Sequence, residues 1–420
     1  MAKMKAVLFY APGDIRYEEI EVPKPGRGEV LIKVGAALTC GTDVKTYRRG
    51  HPLLIPETPA VFGHEFAGTI AALGAEVEGF SLGQRVVAAN SAPCNGCFYC
   101  KIGRPNLCEN LELLNGAYAE YIVVPEGIVR QNLLPIPDHV TFRQAALVEP
   151  LACVLHGVER SGIRLGEKVA IIGVGPIGLL FVSLAKLKGA RIIAIDKNDF
   201  RLRKARELGA DETIDVTAVP DVASSLPLAS CLPVSAQRTK AQGGETTCNH
   251  MRTKNLEAGR GCEPSPHRHT ESLVVRRGEG SQGESSQVVM AVRDLTPGGR
   301  GVDVAIEAVG LPQTWEQAIA MVRPGGTVVL FGGCPSDTSI RIDTRRLHYD
   351  ELKIVGVFHH TPRYVARALE LIALGKIDPD RLITHEMGLP RLEEALQLVM
   401  SGQALKVAII PHYENSFRKI

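Results

Sequence analysis

The sequence predicts an α/β protein in two parts: an antiparallel, barrel-like β domain over residues 1–150, followed by a domain built on a doubly wound parallel sheet. Three observations lead to this prediction. Short β runs broken by Pro-Gly turns fill the first part of the chain, with little sign of helix. Strands and helices alternate after Lys168. A glycine-rich turn, residues 173–178, joins the first of those strands to its helix.

The first domain is predicted from short runs of strand-forming residues that end at turns. Ala11-Pro-Gly-Asp14 and Lys24-Pro-Gly-Arg-Gly28 are the clearest turns. The predicted strands are residues 6–10, 15–17, 29–34, 67–74 and 84–89. Many short strands separated by turns are typical of an antiparallel sheet that closes toward a barrel.

The composition is that of an ordinary globular protein. Of the 420 residues, 45% are hydrophobic and 22% are charged, and the net charge of +2 gives no reason to expect nucleic acid or a membrane as a partner. No window approaches the roughly 18 apolar residues of a membrane span, and we expect no signal peptide. The ten cysteines are clustered, which favours metal binding in a reducing compartment. We therefore expect a cytoplasmic protein.

Two motifs in the first domain combine groups that bind zinc. Cys40 follows a predicted strand, and Gly63-His64-Glu65 lies downstream of it. A thiolate, an imidazole and a carboxylate suit zinc, and fewer than four strong protein ligands leave a position for water or substrate. The alternatives are a structural buried cysteine and a histidine with ordinary hydrogen bonds.

Two residues near Cys40 suit supporting roles. Asp43 can accept the second ring N–H of His64 and fix its tautomer, as carboxylates beside metal ligands commonly do. Thr42 carries a hydroxyl suited to passing a proton from a bound alcohol. The alternative is a simple turn formed by Thr42 and Asp43.

Four cysteines form the most specific motif in the chain. Cys94, Cys97, Cys100 and Cys108 lie among prolines and glycines that favour turns. Four thiolates suit a closed tetrahedral zinc site, and because such a site has no free position for substrate, its role is structural. Disulfides and an iron–sulfur cluster are the alternatives, but the spacing favours zinc.

The turn at residues 173–178 has the pattern of a dinucleotide-binding loop. Gly173, Gly175 and Gly178, with Pro176 and Ile177 between them, would let the backbone approach a pyrophosphate. That pyrophosphate would face the N-terminus of the helix predicted over residues 179–188.

Asp196 ends the next predicted strand, at about the expected 20-residue distance from the last glycine. Its carboxylate can bind both ribose hydroxyls and would repel a 2′-phosphate, so NAD is favoured over NADP. The neighbouring Lys197 weakens this preference without reversing it.

The alternation resumes in the last third of the chain. Its predicted strands and helices include residues 301–310, a helix carrying Trp315, residues 326–333, 352–358 and 362–375. Residues from about 218 to 287 do not fit, because they are rich in Ser, Gly, Thr, Gln and Arg. We expect an insertion there that is disordered or loosely held. Its cysteines and histidines match no tight metal-binding spacing: Cys231, Cys248, His250, Cys262, His267 and His269.

Taken together, these motifs and the stretch Val148-Glu-Pro-Leu-Ala152 resemble the zinc-dependent medium-chain alcohol dehydrogenases, and most closely their sorbitol (polyol) and threonine dehydrogenase branch. The resemblance implies a GroES-like catalytic domain over residues 1–150, to which residues 361–420 return. It implies a Rossmann domain for NAD over residues 151–360, interrupted by the insertion. It also implies a homodimer or homotetramer.

The resemblance assigns roles to individual residues. Cys40, His64 and Glu65 would hold a catalytic zinc, with Glu149 beside it as a ligand or through water. Spacing alone would make Glu149 a surface carboxylate. Arg201 matches a position that lies near the adenosine in the family. The alternative interpretation is that Arg201 is a solvated charge on the surface of a helix. The four-cysteine lobe would hold a second, structural zinc.

The implied reaction is oxidation of a secondary alcohol to a ketone, with hydride transfer to NAD. Where this branch usually has a relay histidine, three residues after the threonine, this chain has Lys45, and the loop after Cys108 looks short. We therefore expect a polyol or sugar alcohol as the substrate, ahead of threonine and then a simple secondary alcohol. An inactive NAD-binding sensor or assembly protein is the alternative from another class.

Overall fold

The structure is a computed structural model that describes residues 2–52, 54–218, 282–413 and 417–419. Its strands are, in chain order, β1 (Lys3–Ala11), β2 (Asp14–Glu21), β3 (Val30–Leu38), β4 (Ala60–Val61), β5 (Glu65–Leu73), β6 (Arg85–Ala88), β7 (Ser91–Ala92), β8 (Glu112–Leu113), β9 (Tyr121–Val124), β10 (Leu133–Pro135), β11 (Lys168–Ile172), β12 (Arg191–Asp196), β13 (Glu212–Asp215), β14 (Val302–Glu307), β15 (Val322–Leu330), β16 (Lys353–Gly356), β17 (Ile383–Met387), β18 (Lys406–Ile409) and β19 (Phe417–Lys419).

The α-helices of the described residues are α1 (Gly41–Arg49), α2 (Phe98–Lys101), α3 (Glu126–Asn132), α4 (Phe142–Ala145), α5 (Val148–Ser161), α6 (Pro176–Leu187), α7 (Asp199–Glu207), α8 (Gln282–Asp294), α9 (Pro312–Met321), α10 (Thr344–Tyr349), α11 (Pro362–Ala373) and α12 (Leu392–Met400). Among the residues that the structure describes, no helix is long and apolar enough to cross a bilayer.

An eight-stranded, mostly antiparallel sheet joins strands from both ends of the chain. Its order is β10-β6-β5-β3-β18-β17-β19, and β9 also pairs with β3. β1, β2 and β4 form a separate antiparallel sheet. The apolar side chains of these strands alternate toward a core that includes Phe62, Phe66 and Tyr118, all buried. The pairing of β18 with β3 places the last part of the chain beside the end of β3.

A six-stranded sheet of parallel strands has the order β13-β12-β11-β14-β15-β16. The central strand β11 is a continuous apolar run after Lys168, and every residue of β14 except Asp303 is buried, as expected for strands covered by helices on both faces. The strand order reverses between β11 and β14. In open parallel sheets ligands bind at such a reversal, outside the carboxyl ends of the strands. The predicted α/β class with a doubly wound parallel sheet is confirmed.

Several predicted boundaries were wrong. α6 begins at Pro176 instead of residue 179, because proline suits the first helical position. β16 ends at Gly356, two residues before the predicted end at residue 358. The first 150 residues also contain the short helices α1 to α4, which were not predicted.

The predicted insertion needs one correction within the described residues. α8 begins at Gln282, so residues 282–287, which we expected in the insertion, are helical. Residues 219–281 of the predicted insertion, including its cysteines and histidines, lie outside the described residues.

Candidate active site, zinc lobe and nucleotide cleft

Cys40, His64 and Glu65 meet because β3 and β5 are antiparallel neighbours. Leu38 at the end of β3 lies opposite Glu65 at the start of β5. The chain then places Cys40 at the N-cap of α1. One donor atom from each of the three predicted ligands lies within 4.8 Å of the others, and His64 and Glu65 are buried.

Gly63 permits this approach. Its φ is +93°, and a Cβ atom there would lie 2.8 Å from the Tyr118 ring. Any L-residue would therefore strain the backbone and clash with a buried aromatic ring. The glycine allows His64 to enter the site directly after a turn.

Asp43 links His64 to the buried core. Its Oδ1 lies 3.3 Å from His64 Nδ1, and its Oδ2 accepts hydrogen bonds from Tyr118 Oη at 2.7 Å and Cys40 N at 2.8 Å. Burial alone would lower the pKa of His64, but the Asp43 carboxylate more than offsets this and holds that pKa above its ordinary value. With Nδ1 turned to Asp43, His64 can offer Nε2 to a metal.

Glu65 has a partner that the sequence did not suggest. Lys406 begins β18, is 1% exposed, and donates hydrogen bonds to Glu65 Oε2 and, at 3.0 Å, to the carbonyl oxygen of Thr39. Burial raises the pKa of Glu65, and the Lys406 ammonium limits the rise. The other carboxylate oxygen, Glu65 Oε1, is buried and has no hydrogen-bond partner among the described residues.

Glu149 lies in the first turn of α5 and is buried, not exposed as spacing alone suggested. Burial raises its pKa to about 7. Thr42 lies in the first turn of α1, and its backbone N–H points to Cys40 Sγ at 3.5 Å. Lys45, at the position of the missing relay histidine, is exposed on the same helix.

The structure also brings His359 and His360 to Glu149, with donor atoms within 4.8 Å of one another. Sequence reasoning missed both histidines. They follow β16 and belong to no known spacing motif. The only signal in the sequence is their position just after a parallel strand, where ligand-binding residues commonly lie.

The four predicted thiolates, Cys94, Cys97, Cys100 and Cys108, lie within 4.8 Å of one another. Backbone N–H groups of Gly96 and Cys97 lower the pKa of Cys94 to about 6. Such N–H groups stabilise a thiolate, which is the form that binds metal. The described cysteines are free thiols, so the lobe offers a four-sulfur set suited to zinc.

The predicted nucleotide loop lies between β11 and α6. Gly173 has φ +83°, and a Cβ on Gly178 would lie 2.0 Å from the Gly173 carbonyl oxygen, so neither tolerates a side chain. Gly175 is the N-cap of α6, and Pro176 and Ile177 form its first turn. The N–H groups at this helix start are available to an anion.

Asp196 ends β12 and bounds the same loop. Its Oδ2 accepts from Val174 N at 2.9 Å, and its Oδ1 accepts from Lys197 N at 2.8 Å and Asn198 N at 3.0 Å. Arg201 Nη1 lies 3.9 Å from Asp196 Oδ2. The carboxylate is therefore fixed at the edge of the cleft, with a cation beside it.

Comparison with known proteins agrees with this geometry. Residues 26–138 match the alcohol dehydrogenase GroES-like domain, and residues 176–227 and 280–373 match the zinc-binding dehydrogenase family. D-arabinitol dehydrogenase 1 of Uromyces fabae is 30% identical to this chain, with 98% of each chain covered.

The chain belongs to the zinc-binding dehydrogenase family. Sorbitol dehydrogenase of Bacillus subtilis is 29% identical, with 97% of this chain and 98% of the relative covered. The crystal structure of 2R,3R-butanediol dehydrogenase from Bacillus subtilis matches with a TM-score of 0.73 and 27% identity, covering 97% of this chain and 100% of that one. The predicted family and the GroES-like plus Rossmann fold are confirmed.

The family match also bears on the insertion. The zinc-binding dehydrogenase model aligns on both sides of residues 228–279 and leaves those residues unmatched. This zinc-binding dehydrogenase thus carries extra sequence after β13.

The residues present fit zinc at both sites. At the first, a thiolate, an imidazole and a carboxylate oxygen without a hydrogen-bond partner converge in a buried position. A buried acceptor without a donor is costly unless a cation or a proton satisfies it. At the second, four thiolates form a closed set.

Proposed function

We propose that this zinc-binding dehydrogenase oxidises a secondary alcohol, with a polyol or sugar alcohol as substrate, to a ketone and passes the hydride to NAD. One observation carries the proposal: the open set formed by Cys40, His64 and Glu65 in a chain that also has a dinucleotide cleft. A purely structural metal site would use four protein ligands. An open set leaves room for the substrate oxygen.

Cys40, His64 and Glu65 would hold the catalytic ion, with Glu149 beside it. A zinc ion held there supplies Lewis acidity that lowers the pKa of the substrate hydroxyl. Asp43 orients His64, and Lys406 fixes one oxygen of Glu65. Asp43 and Lys406 thus fix the orientation of the two proposed zinc ligands His64 and Glu65.

The proton and the hydride leave by different routes. Thr42, in the first turn of α1, takes the hydroxyl proton outward. A nicotinamide held in the cleft would supply the acceptor for the hydride, which comes from the carbon that bears the hydroxyl. Lys45 stands at the position of the relay histidine and is exposed on α1, so we propose no relay through it. The proton passes from Thr42 to water.

The cofactor proposal is NAD in preference to NADP. Gly173, Gly175 and Gly178 support the pyrophosphate position at the N-terminus of α6. Asp196 supports ribose binding, since a fixed carboxylate accepts two hydroxyls and repels a 2′-phosphate. Arg201 is proposed to contact the adenosine side of the cleft.

We also propose the domain division and assembly. Residues 1–150 with 361–420 form the catalytic domain, and 151–360 form the nucleotide domain, in agreement with the membership of the two large sheets. The free thiols suit a reducing cytoplasm. A homodimer or homotetramer follows the resemblance, and light scattering after size exclusion tests it.

The function is tested by NAD reduction over a panel of sorbitol, arabitol, 2,3-butanediol, L-threonine and 2-propanol, with the zinc content measured in parallel. We expect turnover to be highest with a polyol and to fall at least 1,000-fold in Cys40→Ser. NAD binding without turnover on any substrate, and with a single zinc per chain, would instead establish a sensor or assembly protein. Full activity in Cys40→Ser would refute the zinc mechanism.

A further inference from the structure

Two consecutive histidines after β16 form a second group of metal-binding side chains with Glu149. A ring nitrogen of His359, a ring nitrogen of His360 and a carboxylate oxygen of Glu149 lie within 4.8 Å of one another. None of these atoms belongs to the group formed by Cys40, His64 and Glu65. The proposed reaction gives the two histidines no role.

Each histidine is oriented by one of two consecutive residues after β6. His360 Nε2 lies 3.0 Å from Asn90 Oδ1, and His359 Nε2 lies 2.6 Å from Ser91 Oγ. Histidines that bind a metal through one nitrogen generally have the other nitrogen held by a polar partner in this way. Two adjacent rings are thus fixed by two adjacent partners.

His360 carries a buried lone pair that nothing satisfies. The residue is 2% exposed, and because its Nε2 donates to Asn90, its unprotonated nitrogen is Nδ1. Nδ1 is buried and has no hydrogen-bond partner among the described residues. Buried polar atoms in native proteins nearly always have a partner, so the lone pair on Nδ1 is available to a cation. On the other side of the ring, Nε2 is held by Asn90 and lies 3.9 Å from Glu149 Oε1.

The backbone at His359 is held in a conformation that side chains rarely adopt. Its φ is +61°, and the His156 ring donates to its carbonyl oxygen at 2.7 Å. A left-handed conformation at a residue with a side chain is strained and persists where the surroundings enforce it. The left-handed turn lets both consecutive histidine rings lie against the same wall of the site, with their centroids 4.1 Å apart.

We propose that Glu149, His359 and His360 form an additional site for a divalent transition-metal ion, with the chemistry of Zn²⁺. Two imidazole nitrogens and a carboxylate oxygen suit zinc and its neighbours, whereas Ca²⁺ and Mg²⁺ prefer oxygen ligands. Zinc bonds of about 2.0–2.1 Å require the three donor atoms, which lie within 4.8 Å of one another, to move closer together around the ion. Glu65 then serves the first site, and Glu149 serves this one.

The test is the number of metal equivalents bound per chain. Purified protein, equilibrated with Zn²⁺ and freed of excess metal by gel filtration, is analysed by mass spectrometry and by titration with a chromophoric chelator. We expect a third equivalent beyond the catalytic and structural ions. His360→Gln should lose that equivalent and keep the other two, which also shows that the variant folds.

Matched variants separate this site from its neighbours. His385→Gln, a buried histidine on β17 outside the group, should keep the third equivalent. Cys40→Ser should lose the catalytic ion and keep the third. Asn90→Ala should lower the affinity for the third metal ion about 10- to 100-fold, since it removes the hydrogen-bond partner that orients His360.

Two results overturn the inference. One is saturation of the unmodified protein at two equivalents, and the other is a third equivalent that His360→Gln leaves in place. Neither result touches the proposed dehydrogenase, which depends on Cys40. Loss of NAD reduction in Cys40→Ser with the third equivalent retained would support both proposals independently.

Discussion

The buried ammonium of Lys406 hydrogen-bonds the buried carboxylate of Glu65, a residue 341 positions earlier in the chain. Both side chains begin strands of the same sheet, β18 and β5, on either side of β3. The contact leaves Glu65 Oε1 free to face a cation. A residue near the C-terminus, Lys406, thus favours the charged carboxylate form of Glu65, a proposed zinc ligand.

Replacing Lys406 with methionine should destabilise the protein by about 3–5 kcal/mol, because it leaves the Glu65 carboxylate buried without its partner. Urea unfolding of the zinc-loaded protein measures this free energy. The double variant Lys406→Met, Glu65→Gln should recover much of the loss, since no buried charge remains. A cost below about 1 kcal/mol for the single change would show that the pair contributes little.

Asp43→Asn should weaken binding of the catalytic zinc about 10- to 100-fold, because it removes the carboxylate that faces His64 Nδ1. Competition with a chelator of known affinity measures the change. Tyr118→Phe is the matched control. It removes the hydrogen bonds from Tyr118 Oη to Asp43 Oδ2 and to the carbonyl oxygen of Leu38, keeps the Asp43 carboxylate, and should have a smaller effect. If Asp43→Asn and the unmodified protein bind zinc with equal affinity, Asp43 does not support the zinc ligand His64.

The sequence predicted those parts of the site that are local in the chain. The glycine loop, the four-cysteine lobe and the pair His64-Glu65 each depend on spacing within a few residues. Lys406 with Glu65, Tyr118 with Asp43, and His360 with Asn90 join residues that are far apart. Only tertiary folding brings such pairs together, so no pattern in the sequence indicates them.

The secondary structure follows the same rule. The buried parallel strand β11 was predicted from its continuous apolar run, which is local in the chain. The short helices α1 to α4 were missed, because one or two turns give too little periodicity. The start of α8 was missed because Gln282–Gln287 is polar and resembles the preceding insertion in composition.

Cys100→Ser should release the structural zinc and lower the thermal unfolding midpoint, while the catalytic zinc remains. A closed four-thiolate site contributes its binding free energy to folding, and one missing thiolate opens it. Zinc analysis and calorimetry on the same sample measure both effects. Cys334→Ser, which alters a free cysteine outside the lobe, is the control. Loss of both zinc ions in Cys100→Ser would mean that the two sites are not independent.

Asp196→Asn should lower kcat/KM for NAD about 10-fold and leave that for NADP unchanged or higher. The amide keeps the size of the side chain but removes the charge that repels a 2′-phosphate. Steady-state kinetics with both cofactors on one polyol measure the ratio. Arg203→Gln, on the exposed surface of α7, provides the control. An unchanged ratio in Asp196→Asn would show that another residue selects the cofactor.

Glu149→Gln should stabilise the chelator-treated protein at pH 8 and have little effect at pH 4.5. Burial raises the pKa of Glu149 to about 7 in the folded protein, against about 4.3 for an unfolded chain. Between these two pKa values Glu149 keeps its proton in the folded state and releases it in the unfolded state. The destabilisation that Glu149 causes therefore grows as the pH rises from about 4.3 to about 7, and it is constant above that.

The expected gain at pH 8 is about 2–4 kcal/mol, since each pKa unit corresponds to about 1.4 kcal/mol. Urea unfolding at several pH values measures the difference between the variant and the unmodified protein. The zinc-loaded protein is the comparison, since a cation beside Glu149 favours the carboxylate and should abolish or reverse the gain. A pH-independent difference in the metal-free protein would show that Glu149 keeps an ordinary pKa despite its burial.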